Sequence, residues 1–444
     1  MGSDRTSLER RTVLTALGAG GLAVLSGDAA TASETMRSIV GQIDEDDPPV
    51  IARGTERVER LFEYQLEQGL HHGAQLAVYR DDELIVDLAG GITDVEDGDG
   101  GELPTDEAVP DGTETESDSR FVLFSNTKPL AAACVHVLVD RGALAFDDPI
   151  VDHWPDFADE GSEKAEVTVR HVLTHQSGLP ETPVDQAYDD WTDPDALAEG
   201  VEEAELQFSP GEEISYQFYS FGWIVGELVR QVTGERIDDF ARETVFEPLG
   251  MDRTHIGRPE DEETVDDDGE AFEVATLAGF EPCDRVGEPG LVAGYTTEEA
   301  AETYNREAVQ EGLNPAWTGI GPARELARFY ACYLNGGEFD GTRLLEEETV
   351  AEVTSLQVEE PPVDVVGTAD RWSLGFQRGG ALPDRRGVVT PVGTFGHGGL
   401  GSSQTWADPE SGLAFAFVCN GIRDGYEHNA RTAILSETVR QELG

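Results

Sequence analysis

Strand-like segments at both ends of the chain constrain the fold more than any other sequence feature. Residues 74–91 read AQLAVYRDDELIVDLAGG, two alternating apolar runs about an Asp-Asp-Glu turn, which predicts a β-hairpin. Segments with helical periodicity follow at residues 224–232 and 323–334. Three further runs with strand character lie near the C-terminus: residues 394–399, 403–409 and 412–420. One sheet must therefore gather strands from distant parts of the chain, with an inserted helical lobe beside it.

The pattern predicts an α/β (α+β) domain over residues 55–444, after an N-terminal extension. Helical stripes at residues 55–70 and 426–443 predict N- and C-terminal helices that flank an antiparallel sheet. The α/β lobe is expected at about 55–145 and 340–444, and the all-helical lobe at about 146–339. Two acidic stretches are predicted to be solvated loops: residues 94–119 and 258–273. A cleft between the lobes is the expected ligand site.

The charge of the chain excludes one class of partner and indicates a working environment. Lys and Arg total 30 against 90 Asp and Glu, a formal net charge of -60 at pH 7. Self-repulsion at this charge destabilises a compact state unless salt screens it. The acidic residues are interleaved with apolar periodic segments and do not form a tail, so we expect adaptation to high salt. Phosphate binding needs clustered Lys and Arg, which the sequence lacks, so we expect no nucleic-acid partner.

The N-terminus has the pattern of a twin-arginine export signal. Arg10 and Arg11 precede a short, Gly-rich apolar run and a small-residue cleavage site. We predict a signal peptide at residues 1–32, an acidic linker at 33–54 and an extracellular protein. The alternative is a cytoplasmic protein whose true start is Met36. The apolar run is too short to span a bilayer and no other segment approaches that length, so we expect no stable membrane span.

The first catalytic candidate is a serine three residues before a lysine, in the stretch SNTKPLAAAC. The chain has only two lysines, Lys128 and Lys164. Ser125 and Lys128 would share one side at the start of an apolar helix, because residues three apart on a helix are neighbours. An apolar setting lowers an ammonium pKa, and a neutral amine can take a hydroxyl proton, which Arg cannot do. We predict Ser125 as nucleophile, Lys128 as its base and Lys164 as a solvated surface residue.

Two more stretches offer the groups that such a pair needs. Tyr216, in SYQFYSFGW, precedes an apolar helix, and a phenol near a lysine can relay a proton. The alternative for this tyrosine is a packed core residue. His397, Gly398 and Gly399 open an apolar strand, and paired glycines let a backbone approach a ligand closely. The N–H of Leu400 could then pair with the N–H of the nucleophilic serine around an oxyanion.

These residues resemble the serine β-lactamase and penicillin-binding-protein superfamily, in particular its class C β-lactamase-like esterase branch. The resemblance runs from about residue 55 to the C-terminus and includes VRHVLTHQSGLP, PGEEISYQFYSFGW and FGHGGLGSSQTWADPESG. Ser-x-x-Lys is a signature of this superfamily. The resemblance implies that Ser125 is acylated, that Lys128 is its partner base and that Tyr216 is the tyrosine of the second motif. It also implies that His-Gly-Gly takes the place of the family's Lys-Thr/Ser-Gly strand motif.

Two departures from the family pattern bear on the substrate. True β-lactamases have Tyr-x-Asn as the second motif, whereas this chain has Tyr216, Gln217 and Phe218. The carboxamide that normally reads an amide of the acyl side chain is therefore replaced by Phe218. His397 stands where the strand motif has its lysine, and it is a weaker carboxylate anchor at neutral pH. Both changes are familiar in the esterase-like members, and they favour esters with apolar acyl groups.

We therefore predict a serine hydrolase that forms an acyl-enzyme, a carboxylesterase acting on a small-molecule ester or amide without a cofactor. The overall family pattern supports one alternative, a β-lactamase or D-alanyl carboxypeptidase. The two motif departures support another, a non-catalytic binding protein on the same fold. His171 and His175 are four residues apart, but no third ligand accompanies them at suitable spacing, so we predict no metal site.

Overall fold

The sheet assembled from the two ends of the chain forms the centre of the protein. A computed structural model describes residues 53–95, 112–259, 272–280, 295–360, 370–380 and 390–444. The strands are, in chain order, β1 (Gly73–Arg80), β2 (Glu83–Gly91), β3 (Phe121–Val122), β4 (His255–Ile256), β5 (Ala278–Gly279), β6 (Gly319–Gly321), β7 (Glu338–Phe339), β8 (Thr342–Arg343), β9 (Val358–Glu360), β10 (Asp370–Trp372), β11 (Gln377–Arg378), β12 (Phe395–Gly399), β13 (Ser403–Asp408), β14 (Leu413–Cys419) and β15 (Gly421–Ile422).

Eight of these strands form one antiparallel sheet, in the order β2-β1-β14-β13-β12-β11-β10-β9. The N-terminal hairpin turns at Asp81, whose φ of 52° is in the left-handed region that tight turns use. Strand β1 pairs with β14 from Ala74 opposite Cys419 to Arg80 opposite Leu413. The antiparallel α/β (α+β) fold predicted from the sequence is therefore confirmed. The other strands form three small sheets: β3-β6-β4, β5-β15 and β7-β8.

The helices flank this sheet and fill the chain between its strands. They are, in chain order, α1 (Thr55–Glu67), α2 (Thr127–Asp140), α3 (Val169–Leu173), α4 (Pro194–Glu202), α5 (Ser220–Thr233), α6 (Ile237–Ala241), α7 (Thr297–Tyr304), α8 (Glu307–Gln310), α9 (Ala323–Leu334), α10 (Glu347–Thr354) and α11 (Gly425–Leu443). Helix α1 ends before the predicted residue 70 because Gly69 adopts φ +66°, a conformation typical of a helix end. Helix α9 has its predicted bounds.

Alternation along the central strands divides the core into two layers. On one face, Leu76 and Val78 of β1 pack with residues of α1 and α11, such as Phe62 and Leu435. On the other face, Ala77 of β1 belongs to the larger core that α2 and α9 share. The centre of the sheet is thus covered on both sides, which explains why β1 and β14 are almost fully buried.

Several predictions concern segments outside the described residues. The export signal at residues 1–32 and nearly all of the linker at 33–54 lie there, as do the central parts of both acidic stretches, 96–111 and 260–271. They stay predictions. Among the described residues, no helix has the length and apolar character needed to cross a membrane.

Candidate active site

Ser125 lies on a strained turn at the start of α2. The chain leaves β3, passes through one 3₁₀ turn, Phe124–Asn126, and enters the helix. Phe124 has φ 50°, in a region that bulky residues avoid at a cost of about 1–3 kcal/mol. The Thr127 hydroxyl donates to the Phe124 carbonyl oxygen at 2.5 Å and helps to hold the turn. Ser125 is thereby placed at a helix start, where backbone N–H groups have no partners within the helix.

Lys128 is fully buried one helical turn after the serine. Its Nζ lies 3.4 Å from Ser125 Oγ, so the structure brings the predicted pair together. Its other hydrogen-bond partners are the carbonyl oxygens of Phe218 at 2.8 Å and Ala316 at 3.3 Å. Burial lowers the Lys128 pKa well below its usual 10.5, and no neighbouring charge among the described residues contributes. The contact with Ser125 is long, as catalytic hydrogen bonds often are before substrate binds.

Four aromatic rings surround the Lys128 amine. The ring centroids of Tyr216, Phe218, Phe221 and Trp317 lie 4.7, 5.9, 5.9 and 5.7 Å from Nζ. Such rings favour a cation by ~0.5–2 kcal/mol. Burying an ammonium ion without a counter-ion costs several kcal/mol, which is more. Burial therefore outweighs the rings, and the uncharged amine is favoured.

Tyr216 is held with its ring beside the lysine. The ring stacks on Trp372 of β10, with centroids 5.7 Å apart and an interplanar angle of 25°. Phe218 meets it edge-on at 5.5 Å, and the buried ring of His397 lies 6.2 Å away. Tyr216 and Phe218 are both half-buried. The structure thus brings Tyr216 and Phe218 to Lys128, on an accessible rim, and His397 to the ring of Tyr216.

The Gly-Gly strand closely approaches the turn that carries Ser125. At Gly399, a Cβ atom would lie 2.1 Å from Ser403 Oγ and 2.5 Å from the Leu123 carbonyl oxygen, so a larger residue would push the strand away. Gly398 and Leu400 are half-buried beside it, and Leu400 directly follows the end of β12. The predicted oxyanion partner, Leu400, therefore directly follows the strand that contacts the serine's turn.

Sequence reasoning missed a buried hydrogen-bonded group behind the serine. Asn126 Nδ2 donates to Ser403 Oγ at 2.8 Å, and Asn126 Oδ1 accepts from Thr405 Oγ1 at 2.7 Å. Thr405 also lies 2.9 Å from the hydroxyl of Tyr330 on α9. No local pattern marks this group, since the partners of Asn126 are 277 and 279 residues further along the chain. The one available signal is that Asn126 stands inside the Ser-x-x-Lys motif.

His171 and His175, considered above as metal ligands, are hydrogen-bonded to backbone N–H groups. His171 Nδ1 accepts from Thr168 N–H at 3.3 Å as part of a capping box that starts α3. His175 Nδ1 accepts from Gln217 N–H at 3.2 Å. Burial lowers the pKa of both imidazoles. The described residues include no cluster of three or more His, Cys, Asp or Glu that could hold a metal ion.

A groove lies apart from the residues around Ser125 and Lys128. It runs between α4, α5 and α6, and its lining includes Trp223, Arg230 and Leu313 but none of the predicted site residues. Arg230 is already paired there with Glu227, at 2.6 Å. Because this groove offers no nucleophile beside a base, the candidate active site is the half-buried rim around Ser125.

Comparison with known proteins assigns the chain to a family. The family model described as β-lactamase matches residues 58–438, which include every predicted site residue from Ser125 to Leu400. The chain belongs to the β-lactamase family. The resemblance inferred from the Ser-x-x-Lys and His-Gly-Gly stretches is thereby confirmed.

Relatives within the β-lactamase family include esterases and penicillin-binding proteins. The Mycobacterium tuberculosis protein named esterase/beta-lactamase LipL is 33% identical over 361 residues, which cover 79% of this chain and 77% of that protein. The crystal structure of a family VIII carboxylesterase has a TM-score of 0.69 at 26% identity and covers 89% of this chain and 99% of its own. A penicillin-binding protein homologue from Caulobacter crescentus has a TM-score of 0.67 at 29% identity and covers 87% of this chain and 96% of its own. This chain is a hydrolase of the β-lactamase fold.

Proposed function

We propose that this β-lactamase family member is a carboxylesterase that acts through an acyl-enzyme on Ser125. The observation that carries the proposal is the set of contacts made by Lys128. The carbonyl oxygens of Phe218 and Ala316 accept two hydrogens from Nζ, which is all that a neutral amine has. The remaining lone pair then faces Ser125 Oγ at 3.4 Å, ready to accept its proton.

The proposed reaction has two balanced halves. Ser125 Oγ attacks the ester carbonyl carbon while its proton moves to Lys128 Nζ, and the N–H groups of Ser125 and Leu400 hold the resulting oxyanion. The carbon–oxygen bond to the alcohol then breaks, and Tyr216 relays the proton to the departing oxygen. Water attacks the acyl-enzyme by the same route and releases the acid. One ester and one water thus give one acid and one alcohol.

The rim residues support esters with apolar acyl groups. Phe218 occupies the second-motif position where the β-lactamases that this chain resembles have Asn. Its ring packs against Trp317 with centroids 4.8 Å apart and offers no hydrogen bond to an acyl-side-chain amide. The names of the mycobacterial relative and of the family VIII carboxylesterase support an ester as the substrate.

The test compares wild type with Ser125→Ala in high salt. Wild type should hydrolyse short p-nitrophenyl esters with a burst, and intact mass should show one fluorophosphonate adduct. Ser125→Ala should lose both, while its thermal unfolding temperature stays close to that of wild type. A wild-type mass that does not change under fluorophosphonate or β-lactam would instead support a non-catalytic binding protein.

A β-lactamase or D-alanyl carboxypeptidase is the second candidate, and the name of the mycobacterial relative, esterase/beta-lactamase LipL, supports β-lactamase activity. Cephalosporin hydrolysis, or release of D-alanine from a peptide, with higher kcat/KM than for p-nitrophenyl esters would support it. Phe218→Asn sharpens the comparison because it restores the carboxamide of the second motif. Under the esterase proposal, this variant should lose ester activity relative to cephalosporin activity.

We also propose that the protein works outside the cell in high salt. The net charge of -60 supports a high-salt environment, because the Debye length falls to ~3 Å at 1 M salt and the repulsion between the acidic residues is then screened. The thermal unfolding temperature should rise steeply from about 0.1 M to molar salt. N-terminal sequencing of the secreted protein tests export, and a mature chain that starts at Met36 inside the cell would exclude it.

A further inference from the structure

The proposed oxyanion hole is built from two distant parts of the chain. One N–H belongs to Ser125, on the turn before α2, and the other to Leu400, at the end of β12. Oxyanion donors have to lie about 2.7–3.1 Å from the charged oxygen, so the spacing of the two groups matters to a fraction of an ångström. A misplacement of about 1 Å can slow a reaction by roughly 10²-fold. The contacts that fix the turn against the strand are therefore part of the machinery.

The side chain of Asn126 makes such contacts in both directions. It is 2% exposed, and its Nδ2 donates to Ser403 Oγ at 2.8 Å while its Oδ1 accepts from Thr405 Oγ1 at 2.7 Å. Ser403 Oγ in turn donates to the Leu123 carbonyl oxygen at 3.1 Å, on the chain just before the turn. Ser403 and Thr405 are fully buried. The nucleophile's turn and β13 are thus joined by three side-chain hydrogen bonds that water does not reach.

Ser403 and Thr405 also pair with β12, the strand that leads to the second N–H group of the proposed oxyanion hole. In the β12–β13 ladder, Ser403 is opposite Gly399 and Thr405 is opposite His397. Gly399 is the residue immediately before Leu400. A shift of β13 relative to the turn would therefore carry the Leu400 N–H with it.

We propose that Asn126 is a positioning residue that sets the spacing between the Ser125 and Leu400 N–H groups. The role rests on the proposed esterase function, since it concerns the acylation step of that reaction. A carboxamide suits this role because its NH₂ group donates and its oxygen accepts, so one side chain can hold both Ser403 and Thr405 in place. Asn126 itself touches no reacting atom in this scheme.

Asn126→Leu is a suitable test because the groups left behind keep partners. Ser403 Oγ still has the Leu123 carbonyl oxygen at 3.1 Å, and Thr405 Oγ1 has the carbonyl oxygen of His397 at 3.1 Å. The fold should therefore tolerate the change, while the turn loses two of its three side-chain hydrogen bonds to β13. We expect kcat/KM for p-nitrophenyl esters to fall roughly 10–100-fold, and the rate of fluorophosphonate labelling to fall in proportion.

Asn420→Leu is the matched control. Asn420 is also fully buried, accepts from Gly73 N–H at 2.8 Å and donates to the Ile92 carbonyl oxygen at 3.0 Å, but it links β14 to the first hairpin. It should lower the thermal unfolding temperature at least as much as Asn126→Leu and leave kcat/KM within about threefold of wild type. Equal losses of activity in the two variants would overturn the positioning role.

A spectroscopic measurement separates positioning from general loosening. Hydrogen bonds in an oxyanion hole weaken the acyl carbonyl bond, so its infrared stretch in a slowly deacylating acyl-enzyme reports their strength. Asn126→Leu and, independently, Ser403→Ala should move this band to higher frequency, and Asn420→Leu should not. An unmoved band in both site variants overturns the inference while leaving the esterase proposal intact. A wild type that hydrolyses no ester overturns both.

Discussion

The two lysines of the chain have similar chemistry but opposite settings. Lys128 is fully buried among aromatic rings, and one of its three hydrogen-bond partners is the hydroxyl of Ser125, the proposed nucleophile. Lys164 is half-buried, and its Nζ donates to three carbonyl oxygens at the end of α4, those of Val201, Glu202 and Ala204, at 2.7–2.9 Å. Burial lowers the pKa of both, well below 10.5 for Lys128 and to about 8 for Lys164. A lowered pKa alone therefore does not make a lysine a candidate base. Lys128 has a neighbouring hydroxyl from which to take a proton, whereas the three partners of Lys164 are carbonyl oxygens.

The prediction that Lys164 is a solvated surface residue is wrong. Its flanking sequence, DEGSEKAE, is polar and suggests exposure. The structure instead places the side chain across the C-terminal end of α4, over the ring of Phe157 at 5.0 Å. The carbonyl groups at the C-terminal end of a helix carry the negative end of its dipole and attract the ammonium group, but burial outweighs this attraction and lowers the Lys164 pKa. Those carbonyls lie 37–40 residues away in sequence, so no local pattern shows them.

The largest expected effect comes from replacing Lys128 by methionine, and Lys164→Met is the matched control. Methionine fills irregular apolar space, so Lys128→Met should fold, but it removes the base. We expect this variant's kcat/KM for p-nitrophenyl esters to fall roughly 10³–10⁴-fold. Lys128→Arg should lose a similar factor in kcat/KM, because a guanidinium stays protonated. Lys164→Met should keep kcat/KM within about twofold, since the residue touches no site group. An active Lys128→Arg enzyme would show that the amine is not the base.

Tyr216→Phe is expected to have the next largest effect. The ring stays against Trp372 and Lys128, so substrate binding should change little, but the relay hydroxyl is lost. We expect kcat to fall roughly 10²-fold or more, with unchanged thermal stability. Esters with better leaving groups should be affected less, because they need less protonation as they depart. A loss that is the same for p-nitrophenyl and alkyl esters would assign Tyr216 a packing role.

The surroundings of the two lysines show which contacts can be predicted from the sequence and which cannot. Ser125 and Lys128 are predictable because one helical turn separates them, and the central hairpin is predictable because β1 and β2 alternate in period two. The Asn126 contacts and the carbonyl partners of Lys128 are not, because they join residues far apart in the chain. Local periodicity thus gives elements and neighbouring side chains, while the spacing of a site depends on packing between distant elements.

The pH profile gives a moderate effect. The proposed mechanism needs neutral Lys128, and burial keeps its pKa well below 10.5, so kcat/KM should already be on a plateau well below pH 10.5. As the pH falls below the lowered pKa, the amine gains a proton and activity should drop about tenfold per pH unit. The measurement is kcat/KM at constant high salt, with each sample re-assayed at the plateau pH to exclude unfolding. Activity that still climbs toward pH 10 would indicate an ordinary, charged lysine.

The smallest effect concerns the stability that Lys164 provides. Removing its three hydrogen bonds in Lys164→Met should lower the free energy of unfolding by about 1 kcal/mol at neutral pH. The difference should then grow between pH 8 and 10.5. In that window the unfolded wild type still binds the Lys164 proton, whereas the native state, in which burial lowers the Lys164 pKa from its usual 10.5 to about 8, does not. Wild-type stability therefore rises with pH. Denaturant unfolding of both proteins at several pH values measures this, and parallel curves would mean that the side chain is solvated after all.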